Sequence, residues 1–245
     1  MLDTSKWIYE DLKHGLNAFS TIAFDGRFFY FADGENIYVY SKDFVPINCI
    51  KAAPKIAALC YDNSDDCFWA ADGKAGEILR LSRRFEETGR LSLNCGAIFG
   101  LSYFCAHDTL LVCARNSVIE ACKHGEQREV HAISGWANIT SAAPFFALLQ
   151  DKHDGQVIYF YTPDNIHSIL EVPPGYIVKD ILFYPPENQL LALAQSKNRT
   201  KILRHPMPCI DICCCNYAFN DFCDEHCKWL VANVSCGSDW GNSLM

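Results

Sequence analysis

The chain has 245 residues, half of them hydrophobic, 20% charged and 13% aromatic. That composition supplies a sizeable core and excludes disordered, collagen-like and coiled-coil chains. Lys plus Arg is 21 against 29 Asp plus Glu, a formal charge of −8, which argues against broad binding to nucleic acid or to anionic membrane.

Residues 1–7 lack a basic region followed by an apolar run, and no stretch approaches 18 consecutive apolar residues. Neither a signal peptide nor a spanning helix is expected, and the cytoplasm is the expected compartment. The 14 cysteines then read as reduced thiols rather than a disulfide frame. Lys6-Trp7-Ile8-Tyr9-Glu10 alternates apolar and polar, as a strand does.

From residue 17 onward the chain repeats itself. Phe24-Asp25 leads through an aromatic cluster to Ala32-Asp33-Gly34; Tyr61-Asp62 leads through another to Ala71-Asp72-Gly73, 39 positions on. The same order of strands and turns recurs from Ile98, Ile139 and Ile177 with fewer identities. Aromatic markers fall at 24, 61, 103, 145 and 184. A fainter sixth unit starts at Ile210 and ends one strand short. The expected repeats are 17–50, 54–93, 96–132, 137–173, 176–207 and 208–245, in one domain. No window of 12 residues carries helical periodicity.

Short strands with turn signals, in units of about 40 residues, suggest four-stranded antiparallel sheets that must stack to bury both faces. The pattern resembles a β-propeller, at the level of the repeat, and is similar to the NHL-like, TolB-like and SMP-30-like groups. WD40 and kelch signatures are missing. The expected fold is an all-β, six-bladed β-propeller in which residues 5–10 supply the outer strand of the last blade, because an unpaired edge is then covered. Five blades plus a cysteine-rich C-terminal appendage is the alternative.

The resemblance places ligands at a mouth of the central channel, lined by the innermost strands. Channel-lining candidates are Thr21, Thr140, Ser141, Lys179, Asp180 and Asp211. Lys179 and Asp180 are charges inside an apolar strand, readable as a channel ion pair or as ligand contacts. The Asp-Gly pairs at 25, 33, 72 and 154 read as hairpin turns, since a calcium loop needs several oxygen ligands at alternating positions. Seven of the 14 cysteines lie after residue 208; Cys223, His226 and Cys227 are a weak metal alternative, without a zinc-finger spacing. No G-x-S-x-G, P-loop or dinucleotide fingerprint is present. The reading is therefore a binding or scaffold module for a protein segment or small ligand, with no cofactor. The alternatives are a hydrolase or lyase using acidic residues at the channel mouth, and a metal or redox protein using the C-terminal cysteines.

Overall fold

The computed structural model describes residues 1–12, 19–52, 55–72, 76–135, 137–142, 145–161, 166–196 and 199–207. After a 3₁₀ turn at Thr4–Lys6, strand β1 is Ile8–Asp11. Blade one holds β2 (Thr21–Phe24), β3 (Phe29–Ala32), β4 (Asn36–Tyr40) and β5 (Pro46–Lys51). Blade two holds β6 (Ala58–Asp62), β7 (Cys67–Ala71), β8 (Glu77–Leu81) and β9 (Glu87–Ser92). Blade three holds β10 (Ile98–Phe104), β11 (Thr109–Ala114), β12 (Ser117–Cys122) and β13 (Gln127–Ala132). Blade four holds β14 (Ala137–Ala142), β15 (Phe145–Lys152), β16 (Gly155–Tyr161) and β17 (Ile166–Glu171). Blade five holds β18 (Ile177–Tyr184), β19 (Gln189–Ser196) and β20 (Arg199–Pro206), and its outer strand is β1. Among the described residues there is no α-helix, and no helix is long and apolar enough to cross a membrane.

The ring has five blades, the alternative reading, and not six. The reason lies in the side chains between blades. Adjacent strand residues point to opposite faces, so each sheet feeds two seams. Tyr30 packs with Leu59 and Phe68 across the seam of blades one and two, whereas its neighbour Phe31 packs with Leu191 and Leu193 of blade five. Three more clusters fill the seams two–three, three–four and four–five. Five cores fill five seams, and the fifth joins blade five directly to blade one. The fully buried Phe29, Phe31, Phe68, Phe160 and Phe183 each contribute about 2–3 kcal/mol by leaving water. Residues 208–245, read above as a sixth unit, lie outside the described residues.

The N-terminal strand closes the last blade as expected, but in blade five. Ile8 pairs with Arg204 and Asp11 with Lys201, antiparallel along β20. Blade five has three strands of its own between 177 and 206, so β1 covers the edge that β20 would otherwise expose. The outer strands of the other blades share a different protection. Their registers jump by one residue, at Ile47, Thr88, Val130 and His167, and such bulges spoil an edge as a template for further strands.

Two faces result. The upper face carries the connections between blades and the turns joining second to third strands. The lower face carries the turns joining first to second and third to fourth strands.

Candidate functional site: the channel, the lower-face ion pairs and the upper-face cleft

The innermost strands β2, β6, β10, β14 and β18 each present one unpaired sheet edge to the axis. An edge N–H left bare there would cost as much as a lost hydrogen bond. The structure meets that demand with one acceptor side chain at every seam, each supplied by the preceding blade. Thr21 Oγ1 accepts from Leu59 N–H at 3.1 Å, and the Cys60 thiol from Tyr103 N–H. Ser102 Oγ accepts from Ser141 N–H at 2.9 Å, and Thr140 Oγ1 from Phe183 N–H at 3.1 Å. Asp180 Oδ2 accepts from Ile22 N–H at 2.8 Å, which closes the ring.

Further bonds tighten this girdle. The Thr21 hydroxyl donates to Asp180 Oδ2 at 2.6 Å. Ser141 Oγ–H donates to Tyr103 O at 2.7 Å and sits 2.7 Å from Ser102 Oγ, which therefore donates to it. Asn138 Nδ2 donates to Lys179 O at 3.1 Å and also hydrogen-bonds Asp180. The space left inside is about 40 Å³, room for a little water and for no metabolite.

The sequence-based candidates can now be placed. Thr140, Ser141 and Asp180 border the central cavity, whereas Thr21 is not on its lining and is bonded to Asp180 instead; all four are buried, and each is engaged with a neighbouring blade. Lys179 stands one step above, at a bulge where the β18–β19 register jumps from Val178 to Asp180. No ion pair joins Lys179 to Asp180, which corrects the channel-pair reading: the bulge removes the simple alternation that reading assumed. Asp211, Cys223, His226 and Cys227 lie outside the described residues. Sequence reasoning missed Cys60, Ser102 and Asn138 as girdle members, because a thiol or a hydroxyl in an apolar strand looks like ordinary filler.

Burial pushes the Asp180 carboxyl up to about 7, against the bonds from Thr21, Ile22, Ile181 and Asn138 that favour its charged form. Burial also raises the Cys60 and Cys113 thiols, so neither is an activated nucleophile.

Gly100 marks how tightly the girdle fits. A Cβ there would stand 2.5 Å from Asn138 Oδ1 and 2.9 Å from the backbone of Asn138 and Ile139. Gly100→Ala should therefore cost about 1–3 kcal/mol by forcing blades three and four apart. Chemical denaturation checks this, and an unchanged midpoint would contradict the packing at that seam.

The lower face holds a second repeated device. Asp25 and Asp62 each cap their own turn, accepting from backbone N–H groups two and three residues on. Each also accepts from an aromatic on the next strand, Tyr30 Oη at 2.9 Å and Trp69 Nε1 at 3.1 Å. Each is then met by a cation from the following blade: Arg83 lies 2.8 Å from Asp25, and Lys123 lies 2.7 Å from Asp62. The two carboxylates have fully buried side chains. Lys123 also reaches Asp108 at 2.6 Å and lies over the Tyr103 ring. In blade three Phe104 follows Tyr103 where Asp follows the aromatic in blades one and two, so the device stops there.

Asp62, Asp65 and Cys67 are close enough together to hold a cation. The Lys123 ammonium already provides the positive charge at that spot. Lys123→Met should cost about 3 kcal/mol by leaving the Asp62 carboxylate buried and unpaired. The Asp62→Asn, Lys123→Met double variant should recover part of the loss in a double-mutant cycle; independent, additive effects would contradict the pairing.

The upper face has a cleft of about 400 Å³ between blades two and three. Asn94, Cys95 and Gly96 of the connecting loop form one wall, Ala114 to Ser117 another, and Gln127 to Glu129 of β13 a third, with buried Ile119 also lining it.

These features define a five-bladed β-propeller with a narrow channel and clefts of about 400 Å³ on its upper face and about 360 Å³ on its lower face. No protein-family model matches the sequence, and no curated protein matches it. Solved structures do. Glutaminyl cyclase from Myxococcus xanthus aligns with a TM-score of 0.61 at 12% identity, over 81% of this chain and 95% of that one. The β-propeller domain of Cps50 (Swd1) from Myceliophteria thermophila gives 0.52 at 13% identity, over 78% and 83%. Hydrazine synthase from Kuenenia stuttgartiensis gives 0.50 at 9% identity, over 75% and 57%. At such identities the likeness shows the fold alone.

Proposed function

We propose that the protein is a binding or scaffold module that engages its partner across the upper face. The observation that carries this reading is the girdle: it commits the polar side chains of the channel to holding the blades together and leaves about 40 Å³ there, against about 400 Å³ in the upper-face cleft; a lower-face cleft of about 360 Å³ has its Asp65, Asp66, Arg80 and Arg83 already paired with one another. Lys179 supports the same face, since it stands on the upper side of Asp180 at the β18–β19 bulge and its side chain has no ion pair among the described residues. For hydrolase or lyase chemistry by acidic residues in the channel, Asp180 is the one carboxylate among the described lining residues. The other titratable groups on that lining, Cys60, Tyr61 and Tyr103, are all pushed up by burial, so no second carboxylate is there to complete an acid and base pair.

Affinity enrichment with face-specific variants tests the proposal. Lys179→Glu combined with Lys55→Glu changes the upper face; Arg84→Glu combined with His124→Glu changes the lower. The reading expects the upper-face variant to lose partners that the wild type and the lower-face variant retain. Partners kept by the upper-face variant, or a hydrolytic turnover abolished by Asp180→Asn, would overturn it.

A further inference from the structure

Two opposite charges line the upper-face cleft without meeting. Arg115 sits in the turn between β11 and β12, and Glu129 sits on β13 across the cleft. Among the described residues, neither makes an ion pair with the other or with a third residue, and neither side chain makes a hydrogen bond. The second guanidinium on the lining, Arg128, behaves differently: its Nε and Nη2 bind Glu120 Oε2 at 3.0 and 2.6 Å. Glu120 is held further by His107 and Thr109. Arg128 is thus part of the wall, whereas Arg115 and Glu129 face open space.

Between them the lining is rich in groups that orient small polar molecules. Asn94, Asn116, Ser117 and Gln127 bring amides and a hydroxyl. Gln127 Oε1 accepts from Asn94 N–H at 3.1 Å, which ties the connecting loop to β13 and fixes the two walls relative to each other. Its amide nitrogen thereby points its N–H donors away from that bond. Apolar Ile119, Ala114 and Cys95 supply the remaining contact. The lining is predominantly polar, and a few precisely placed polar groups are what fix a small ligand's orientation.

We infer that this cleft is a site for a small zwitterion, an amino acid or short peptide, whose carboxylate pairs with Arg115 and whose ammonium pairs with Glu129. The chemistry follows from the residues. A guanidinium presents a planar fork that matches a carboxylate with two parallel hydrogen bonds. A carboxylate accepts from each N–H of an ammonium. A ligand with one charge would leave the other cleft charge unanswered, whereas a two-ended ligand answers both. This inference rests on the upper-face reading above and names the ligand class for it.

Isothermal calorimetry on the full chain tests it, with glycine, lysine, dialanine and trialanine as probes and with acetate and ethylammonium as single-ended controls. The expected result is binding of at least one zwitterion, weakened tenfold or more by Arg115→Met and by Glu129→Gln separately. The single-ended controls should bind more weakly than the zwitterion. Arg128→Met would disturb the Glu120 contacts, so it serves only to show that a general loss of fold is distinguishable by thermal midpoint. No binding of any zwitterion by folded wild type, or equal binding by wild type and both variants, would overturn the inference. If the zwitterions fail while partner enrichment still depends on Lys179 and Lys55, the upper-face module stands and only the ligand class falls.

Discussion

Removing residues 1–12 is expected to unfold or aggregate the protein. The strap does more than cover an edge. Trp7 is buried and packs into the core between blades four and five, and its Nε1 donates to Glu171 O at 3.1 Å. Leu12 packs into the core between blades five and one. The strap therefore fills both seams of the blade it completes. Leu2 N–H donates to Ile169 O, and Asp3 O contacts His205 Nε2 at 2.9 Å beneath an edge-on contact between Trp7 and His205. Arg204 pairs with Glu10 at 2.7 Å. Trp7→Ala alone should cost about 3–5 kcal/mol. That is a large share of the roughly 5–15 kcal/mol that holds a typical domain folded. Losing Trp7, Leu12 and the β1–β20 ladder together should exceed what the ring can absorb. The exposed β20 edge then offers a template for association. Soluble yield and thermal midpoint of the deletion, read beside Trp7→Ala, decide the matter. A deletion variant with the wild-type midpoint would show that β1 is dispensable.

Repeat period, strand order and N-terminal closure were all legible in the sequence, because each is written in local patterns: Asp-Gly turns, alternating strands and one aromatic per unit. Blade count was harder. The fifth repeat, 176–207, is a strand shorter than the others, which already calls for a donated strand there. The apolar residues after 208 hid that deficit by imitating the start of another unit. Ring closure depends on contacts between residues far apart, such as Phe24 against Tyr184, and no local pattern records those. The lower-face ion pairs left a trace: Asp25 and Asp62 recur after an aromatic, and Arg83 and Lys123 recur 40 positions apart on the following blades. Their pairing becomes visible only when consecutive blades are set side by side. The girdle left almost none, since one structural role is filled by Thr, Cys, Ser and Asp in turn. The cleft left none at all: Arg115 and Glu129 are ordinary surface residues until the fold brings them to one cavity.

Asp180 supplies the remaining large effect, and its sign is unusual for a carboxylate. It is the one carboxylate among the girdle acceptors, where other seams use a hydroxyl or a thiol. Asp180→Ala would leave Ile22 N–H, Ile181 N–H, the Thr21 hydroxyl and the Asn138 amide without their acceptor. At about 1–3 kcal/mol for each stranded donor, the loss is upward of about 4 kcal/mol. The pH dependence separates charge from shape. Folded Asp180 keeps its proton up to about pH 7, whereas the unfolded carboxyl releases it near the ordinary 3.8. Between those values the folded chain binds more protons, so this contribution is complete below 3.8 and is lost as pH rises toward 7. Glu120 and Asp108 act in the opposite sense at the acid end. Burial opposes their charged forms, but Arg128 and His107 bonds to Glu120 and the Lys123 bond to Asp108 outweigh it and hold both carboxyls below their ordinary values. Their contributions are lost as pH falls below their ordinary values of 4.5 and 3.8, at the acid edge of the Asp180 window and below the pH 4.5 at which the comparison starts. Asp180→Asn is the neutral comparison, with Asp180→Ser as the variant that copies the hydroxyl of the other seams. The stability of wild type relative to either variant should fall by about 3 kcal/mol from pH 4.5 to 8. Urea denaturation at closely spaced pH values measures it. A difference that stays flat, or that grows with pH, would mean that Asp180 is ionised in the folded ring and that the four donors, not burial, decide its charge.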